Sequence, residues 1–165
     1  MKKVLTIFLA LIIGLSMSAQ IQNKFLGFTL GTTTKSEVYN KYKNEKHLIV
    51  EGDDIYVGDL KFAGQVWDIT TFRFYDNRLM AIQFSITDRH TPESLMESTW
   101  EIFKGKLWNK YCDYYFTSST SDFILYSDGN IDLTLSRSVV GKGVNLLYCD
   151  CVLREQQKIS EDSEL

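Results

Sequence analysis

From Ile55 to Thr87 apolar side chains recur at nearly every second position through three segments, Ile55 to Phe62, Val66 to Tyr75 and Leu79 to Thr87. A period of two sends neighbouring side chains to opposite faces of a strand, so the region reads as half-buried sheet and not as helix. Ala63-Gly64-Gln65 and Asp76-Asn77-Arg78 separate the segments and suit hairpin connections. Met80, Ile82, Phe84 and Ile86 form an apolar row opposite Ala81, Gln83 and Ser85. Parity is less regular next door, where Trp67 and Ile69 cannot share a face with Phe72 and Phe74 in an unbroken strand. Either a bulge lies near Thr70 and Thr71, or both faces carry apolar residues.

Two stretches carry a helical period instead. Thr34-Lys-Ser-Glu37 has the form of a capping box, in which the Thr hydroxyl accepts the N3 amide and Glu37 reaches back to the amide of the cap. Val38, Tyr39 and Tyr42 follow as a modest apolar stripe, and the helix is expected to end near Lys46. Gly31 to Thr34 therefore breaks a short apolar strand, Phe25 to Leu30, and starts a helix. That turn lacks the spacing and the Lys of a phosphate-binding loop. Thr91-Pro92-Glu93 announces a second helix, with Met96, Trp100, Phe103, Leu107 and Tyr111 spaced at three and four, the mark of one buried helical face.

Three more strand-like runs follow, Asp122 to Ser127, Ile131 to Arg137 and Val144 to Val152. Asp128-Gly129 predicts a two-residue type I′ turn. Such a turn pairs Tyr126 with Ile131 and Ile124 with Leu133, and sends Phe123 and Leu125 to the opposite face beside Asp132 and Thr134. The order is helix and three strands, twice over. The expected fold is a single α+β domain over residues 20–153, an antiparallel sheet with both helices on one face. From Arg154 the chain is polar and acidic, which predicts a frayed tail over 154–165.

The start, with Lys2 and Lys3 before apolar Val4 to Leu15 and small Ser16 to Ala19, has the layout of a cleavable export signal over residues 1–19. Its apolar run is short for a membrane span, and the expected location is periplasmic or secreted. A net charge of −3 without a basic cluster gives no footprint for nucleic acid or anionic lipid. Aromatics at 13% and one Pro argue for a packed domain.

The three cysteines allow at most one intramolecular bridge, Cys112 with Cys149 or Cys151, since Cys149 and Cys151 on one strand face would pair only under strain. Three buried thiols are the other reading. The only histidines, His47 and His90, lack ligand spacing to these thiols, so no metal site is expected. No nucleophile motif or zinc-protease motif is present, and Glu51-Gly-Asp53-Asp54 lacks calcium-loop spacing. The expectation is a protein without enzymatic activity or cofactor.

A sheet with helices on one side and apolar residues on both leaves surface to be covered by a partner, a second copy or the chain's own loops. The candidate contact residues are Trp67, Arg73, Tyr75, Phe123 and Leu125, aromatic, aliphatic and Arg side chains of the kind that anchor protein interfaces. Phe25-x-Gly27, Leu30-Gly31 and Thr34-x-x-Glu37-Val38 resemble the start of two kinds of small exported bacterial protein. One is the small lipoprotein of the outer-membrane β-barrel assembly machinery, the SmpA/OmlA type, with helices on a three-stranded antiparallel sheet. The other is the β-lactamase inhibitor protein type, with two helix-plus-sheet units in tandem. The matching residues span 25–39, and the element order extends the resemblance over most of the chain. It implies a non-catalytic protein-binding module of the envelope or exterior. No Cys follows the signal here, so lipid anchoring is not expected. A small apolar-ligand carrier, with Trp67 and Tyr75 lining a cleft, is the alternative; a hydrolase with a dispersed site ranks after it.

Overall fold

The structure, a computed structural model, describes residues 20–87, 92–137 and 143–163. The export signal at 1–19 and the cap at Thr91 lie outside them. Strands β1 (Lys24–Phe25) and β2 (Phe28–Thr29) form a small ribbon. Its turn residues Leu26 and Gly27 both have positive φ, 53° and 88°, the type I′ geometry whose twist matches that of paired strands. The apolar run expected as one strand is thus folded back on itself.

Helix α1 (Lys35–Tyr42) begins at the expected capping box: Thr34 Oγ1 accepts from Glu37 N at 3.4 Å, and Thr34 N donates to Glu37 Oε2 at 2.7 Å. These bonds from Thr34 hold the Glu37 carboxyl below its ordinary pKa. Four strands follow, β3 (Leu48–Glu51), β4 (Asp54–Phe62), β5 (Gln65–Tyr75) and β6 (Arg78–Thr87). Helix α2 (Glu93–Tyr115) precedes four more, β7 (Phe116–Ser119), β8 (Phe123–Ser127), β9 (Ile131–Arg137) and β10 (Gly143–Asp150). The chain is α+β, with one antiparallel sheet of eight strands in the order β3-β4-β5-β6-β10-β9-β8-β7. Each half therefore contributes four strands rather than three, and the additional pair, β3 and β7, form the two edges.

Two other expectations are corrected. Residues 151–163 form a helix, α3 (Cys151–Ser163), and not a frayed tail. Its first residue takes Cys151 out of the last strand, which ends at Asp150. The Asp128-Gly129 turn is also longer than two residues, because Ser127 pairs with Asp132 and Tyr126 with Leu133. Asp128 stabilises the wider loop by accepting from Asn130 N at 2.9 Å and Ile131 N at 2.8 Å. The register moves by two, so Phe123 and Leu125 keep the face that parity assigns them.

The core is written across the strands. Ile55, Phe72, Ile82, Tyr148, Leu133 and Tyr126 pair in sequence from β4 to β8, and all are buried. Tyr42 of α1 meets Phe72 at 5.6 Å between ring centroids. From α2, the expected stripe of Met96, Trp100, Phe103, Leu107 and Tyr111 is buried, with Phe103 5.2 Å from Trp67 and Tyr111 6.0 Å from Tyr126.

The parity conflict in β5 has a backbone cause. Asp59 in β4 takes a φ of 57°, a left-handed conformation rare for a residue with a Cβ. Before it Ile55 and Val57 face the core; after it Leu60 and Phe62 do. Trp67, paired with Leu60, switches with them, and its Nε1 donates to Phe62 O at 3.1 Å. A second irregularity lies at the other end, where Arg73 pairs with Ala81 but Phe74 with Leu79. Met80 is the extra residue, so it leaves the expected row with Ile82 and joins Ala81, Cys149 and Leu153 in a separate cluster.

Candidate functional site

The residues that alternate with the core row make up the other face of the sheet. One row crosses all eight strands: Ile49, Tyr56, Thr71, Gln83, Leu147, Thr134, Leu125 and Ser118. A neighbouring row runs Gly58, Ile69, Ser85, Asn145, Ser136 and Phe123. The first carries Ile49, Tyr56 and Leu125 toward its ends, with Leu147 among polar residues in its middle and Ser118 at the edge; the second is polar through Ser85, Asn145 and Ser136, between Ile69 and Phe123. The polar centre is bonded: Ser85 Oγ donates to Asn145 Oδ1 at 2.7 Å, and Gln83 Nε2 donates to Ser85 Oγ at 3.0 Å and Asn145 Oδ1 at 3.2 Å. Arg73 Nη2 reaches Gln83 Oε1 at 3.4 Å, and its Nε lies 3.8 Å from Asp54 Oδ2, which accepts from Tyr56 OH at 3.2 Å. A chain of bonded polar groups thus links β4, β5, β6 and β10.

A third row, Asp54, Arg73, Ala81, Cys149, Asp132 and Ser127, is partly roofed by α3. Asp150 Oδ1 caps the start of α3 by accepting from Leu153 N at 3.0 Å. Leu153 then packs on Met80, Ala81 and Cys149. Tyr75 OH donates to Gln156 O at 3.3 Å, and Arg78 Nη2 donates to Gln156 Oε1 at 3.1 Å. Beneath the helix, Arg154 Nη1 lies 2.7 Å from Asp132 Oδ2. Burial works to raise the Asp132 pKa, yet hydrogen bonds from Ser127, Cys151 and Arg154, with the Arg154 charge, hold it below its ordinary value. Burial pushes the Cys149 thiol up to about 11, and burial with the Asp132 carboxylate pushes Cys151 up to about 12. Both are protonated at neutral pH, the state in which a thiol is a weak nucleophile.

The sequence-based candidates divide accordingly. Trp67 is not a surface contact: it is fully buried, carried to the core by the parity switch at Asp59. Tyr75 is half-buried against α3, and Arg73 is exposed. Phe123 and Leu125, both half-buried, lie on the same face as Arg73 but four strands away, roughly 19 Å at the usual strand spacing. The bridge from Cys112 to Cys149 or Cys151 is not formed; Cys149 is a free thiol packed against α3 and Cys151 a free thiol at its first residue, whereas Cys112 belongs to α2 near Tyr126. Sequence reading did not single out Gln83, Ser85 and Asn145 as a unit. Their polarity within alternating strands was visible, but their meeting depends on β6 pairing with β10, which no local pattern encodes.

At the β3 end of this face a cleft of about 580 Å³ is lined by His47, Ile49, Tyr56, Gly58, Asp59 and Ile69, among others. His47 Nδ1 lies 3.1 Å from Asp59 Oδ2 across it. Among the described residues no group of three or more His, Cys, Asp or Glu is placed to hold a metal ion, and no helix is long and apolar enough to cross a membrane. No protein-family model matches the chain, and no curated protein or solved structure matches it.

Proposed function

We propose that the chain is an exported, non-catalytic protein-binding module whose working surface is the sheet face bearing Arg73, Gln83, Asn145, Leu125 and Phe123. This reading takes α1 and α2 to lie together on the opposite face. In its support, Tyr42 of α1 meets Phe72 while Phe103 and Tyr111 of α2 meet Trp67 and Tyr126, all of them core residues. The observation that carries the proposal is a continuous face across the sheet, whose centre at Gln83, Ser85 and Asn145 is pre-bonded and is flanked by Ile49, Tyr56 and Ile69 on one side and by Leu125 and Phe123 on the other. Side chains already held by mutual hydrogen bonds lose little freedom on meeting a partner, which favours recognition by a rigid surface. Flanking aliphatic and aromatic residues supply the desolvated contacts that dominate interface energies.

The test is site-specific photo-crosslinking in cells expressing the protein, with the reactive residue at Gln83 or Leu125 and, as control, at exposed Asn109 on α2. One protein adduct is expected from the first two positions and none from the third. Arg73→Ala and Phe123→Ala should weaken that adduct without shifting thermal unfolding. Adducts from Asn109 alone, or none from the sheet face, would overturn the proposal. Export is tested separately by intact mass, which should show residues 1–19 removed. A small-ligand carrier is the second reading, supported by the cleft beside Ile49, Tyr56 and Ile69.

A further inference from the structure

Strand β3 lies at an edge of the sheet, and its alternation with β4 determines which backbone groups it has to spare. The hairpin closes through Gly52-Asp53, so Glu51 and Asp54 form its hydrogen-bonded pair and Ile49 and Tyr56 the next. The ladder continues at His47, whose carbonyl accepts from Gly58 N at 3.0 Å. The N–H and C=O groups of Leu48 and Val50 therefore face away from β4, toward the open edge. The opposite edge, β7, is guarded: its register shifts between Phe116 and Ser118, and Thr117, Ser118 and Ser119 are polar. Strand β3 has no bulge, Pro or Lys, the usual devices against edge pairing. Ile49 is 61% exposed and Val50 46%, and Ile69, which lines the same cleft as Ile49, is exposed too.

We propose that β3 pairs antiparallel with β3 of a second copy, about a two-fold axis through Ile49. In that register the outward groups of Leu48 meet those of Val50 in the second copy, and the two Ile49 side chains face each other beside Ile69. Charge selects the orientation. Asp53 and Asp54 already lie 3.9 Å and 3.8 Å from Lys35 and Arg73, and His47 lies 3.1 Å from Asp59, whereas Lys46 before the strand and Glu51 at its end make no ion pair among the described residues. Antiparallel pairing brings Lys46 of one copy beside Glu51 of the other, at both ends of the paired strands. A parallel arrangement would set like charges together. An isologous contact of this kind closes on itself as a dimer, because each copy uses its one unguarded edge. The proposal does not rest on the role assigned above to Gln83, Ser85 and Asn145.

Sedimentation of the purified full chain over a range of concentrations tests it, and the mass should double as concentration rises. Ile49→Lys should abolish the dimer, and so should Val50→Pro, which removes an outward N–H that the β3–β4 ladder does not use. Phe116→Ser at the guarded edge should leave it intact. An Ile49→Cys variant should form a cross-link between the two introduced thiols on mild oxidation, since a non-hydrogen-bonded pair brings Cα atoms within disulfide reach; peptide mapping separates this link from any at Cys112, Cys149 or Cys151. If Val50→Pro fails to fold, Ile49→Lys and the cross-link decide. A chain that stays monomeric at every concentration, or a dimer that survives Ile49→Lys, overturns the proposal.

Discussion

In the first half of the sheet left-handed backbone stands at the turns, Gly52, Ala63, Gly64, Asp76 and Asn77, and within β4 at Asp59. In the second half Gly129 alone has it among the described residues. The covering differs in the opposite sense. Helix α1 has 8 residues and buries Val38 and Tyr42, whereas α2 has 23 and buries a stripe along its length. Where the helix is short, aromatic residues from the β1–β2 ribbon complete the core, with Phe25 4.1 Å from Tyr148 and Phe28 5.7 Å from Phe72. One plan, a helix followed by four antiparallel strands, is thus met once by tight turns and local aromatics and once by a long amphipathic helix. A similar element order does not require similar residues, because burial and register can be satisfied by different parts.

The largest effects are expected where each half supplies a Trp to the shared core. Trp67→Ala and Trp100→Ala should each cost about 3–5 kcal/mol in denaturant unfolding, the usual cost of removing a buried Trp. A loss below about 1 kcal/mol at Trp67 would mean that the first half tolerates a cavity at the parity switch and that its turns, not its core, hold it. Next comes Leu153→Ala, expected to cost about 2 kcal/mol and to speed alkylation of Cys149, because α3 is held down largely by that side chain. Unchanged alkylation would show that Arg154 and Gln156 suffice to hold the helix.

Thr70 sharpens the contrast from another side, since it is fully buried in the first-half core and its Oγ1 has no hydrogen-bond partner. Thr70→Val should therefore stabilise the protein by about 1 kcal/mol, read as a higher denaturant midpoint. Thr34→Ala should cost ~1 kcal/mol in denaturant unfolding, the usual cost of losing a helix cap. The smallest effect is one of pH. The folded pKa of Asp132 is lowered from 3.8, so its contribution is complete above that value and is lost as pH falls through the folded one. Asp132→Asn should lower the thermal midpoint near neutral pH, and the difference from the parent should shrink with acidification. A difference constant with pH would leave the Arg154 pair without a stabilising role.

Strands β4, β5 and β6 were legible because their alternation is long and their turns carry Gly, Asn or Asp. The buried stripe of α2 was legible because five large side chains keep one period. Strands β3 and β7 were not: four residues are too few to show a period, and Leu48-Ile49-Val50 shows no alternation at all. Helix α3 was hidden by its composition, since only Leu153 among its residues is buried. Trp67 was misplaced because the residue that switches parity, Asp59, is not a glycine and gives no local warning. The partial reading of the site has the same origin. Arg73, Phe123 and Leu125 were placed by parity within single hairpins, whereas Gln83, Ser85 and Asn145 become neighbours only through the pairing of β6 with β10.

That central seam also sets an order of assembly. The partners of β6 and β10 lie about sixty residues apart along the chain, while every other neighbouring pair in the large sheet is sequential and joined by a short connection. Contacts closed over long loops form late, so each meander can assemble locally before the two halves are zipped together. During synthesis β6 is complete before β10 exists, and the edge it will bury stands open until residues 143–150 have emerged. The first half therefore passes through a stage with two unpaired edges, β3 and β6, and the arrival of β10 removes one of them.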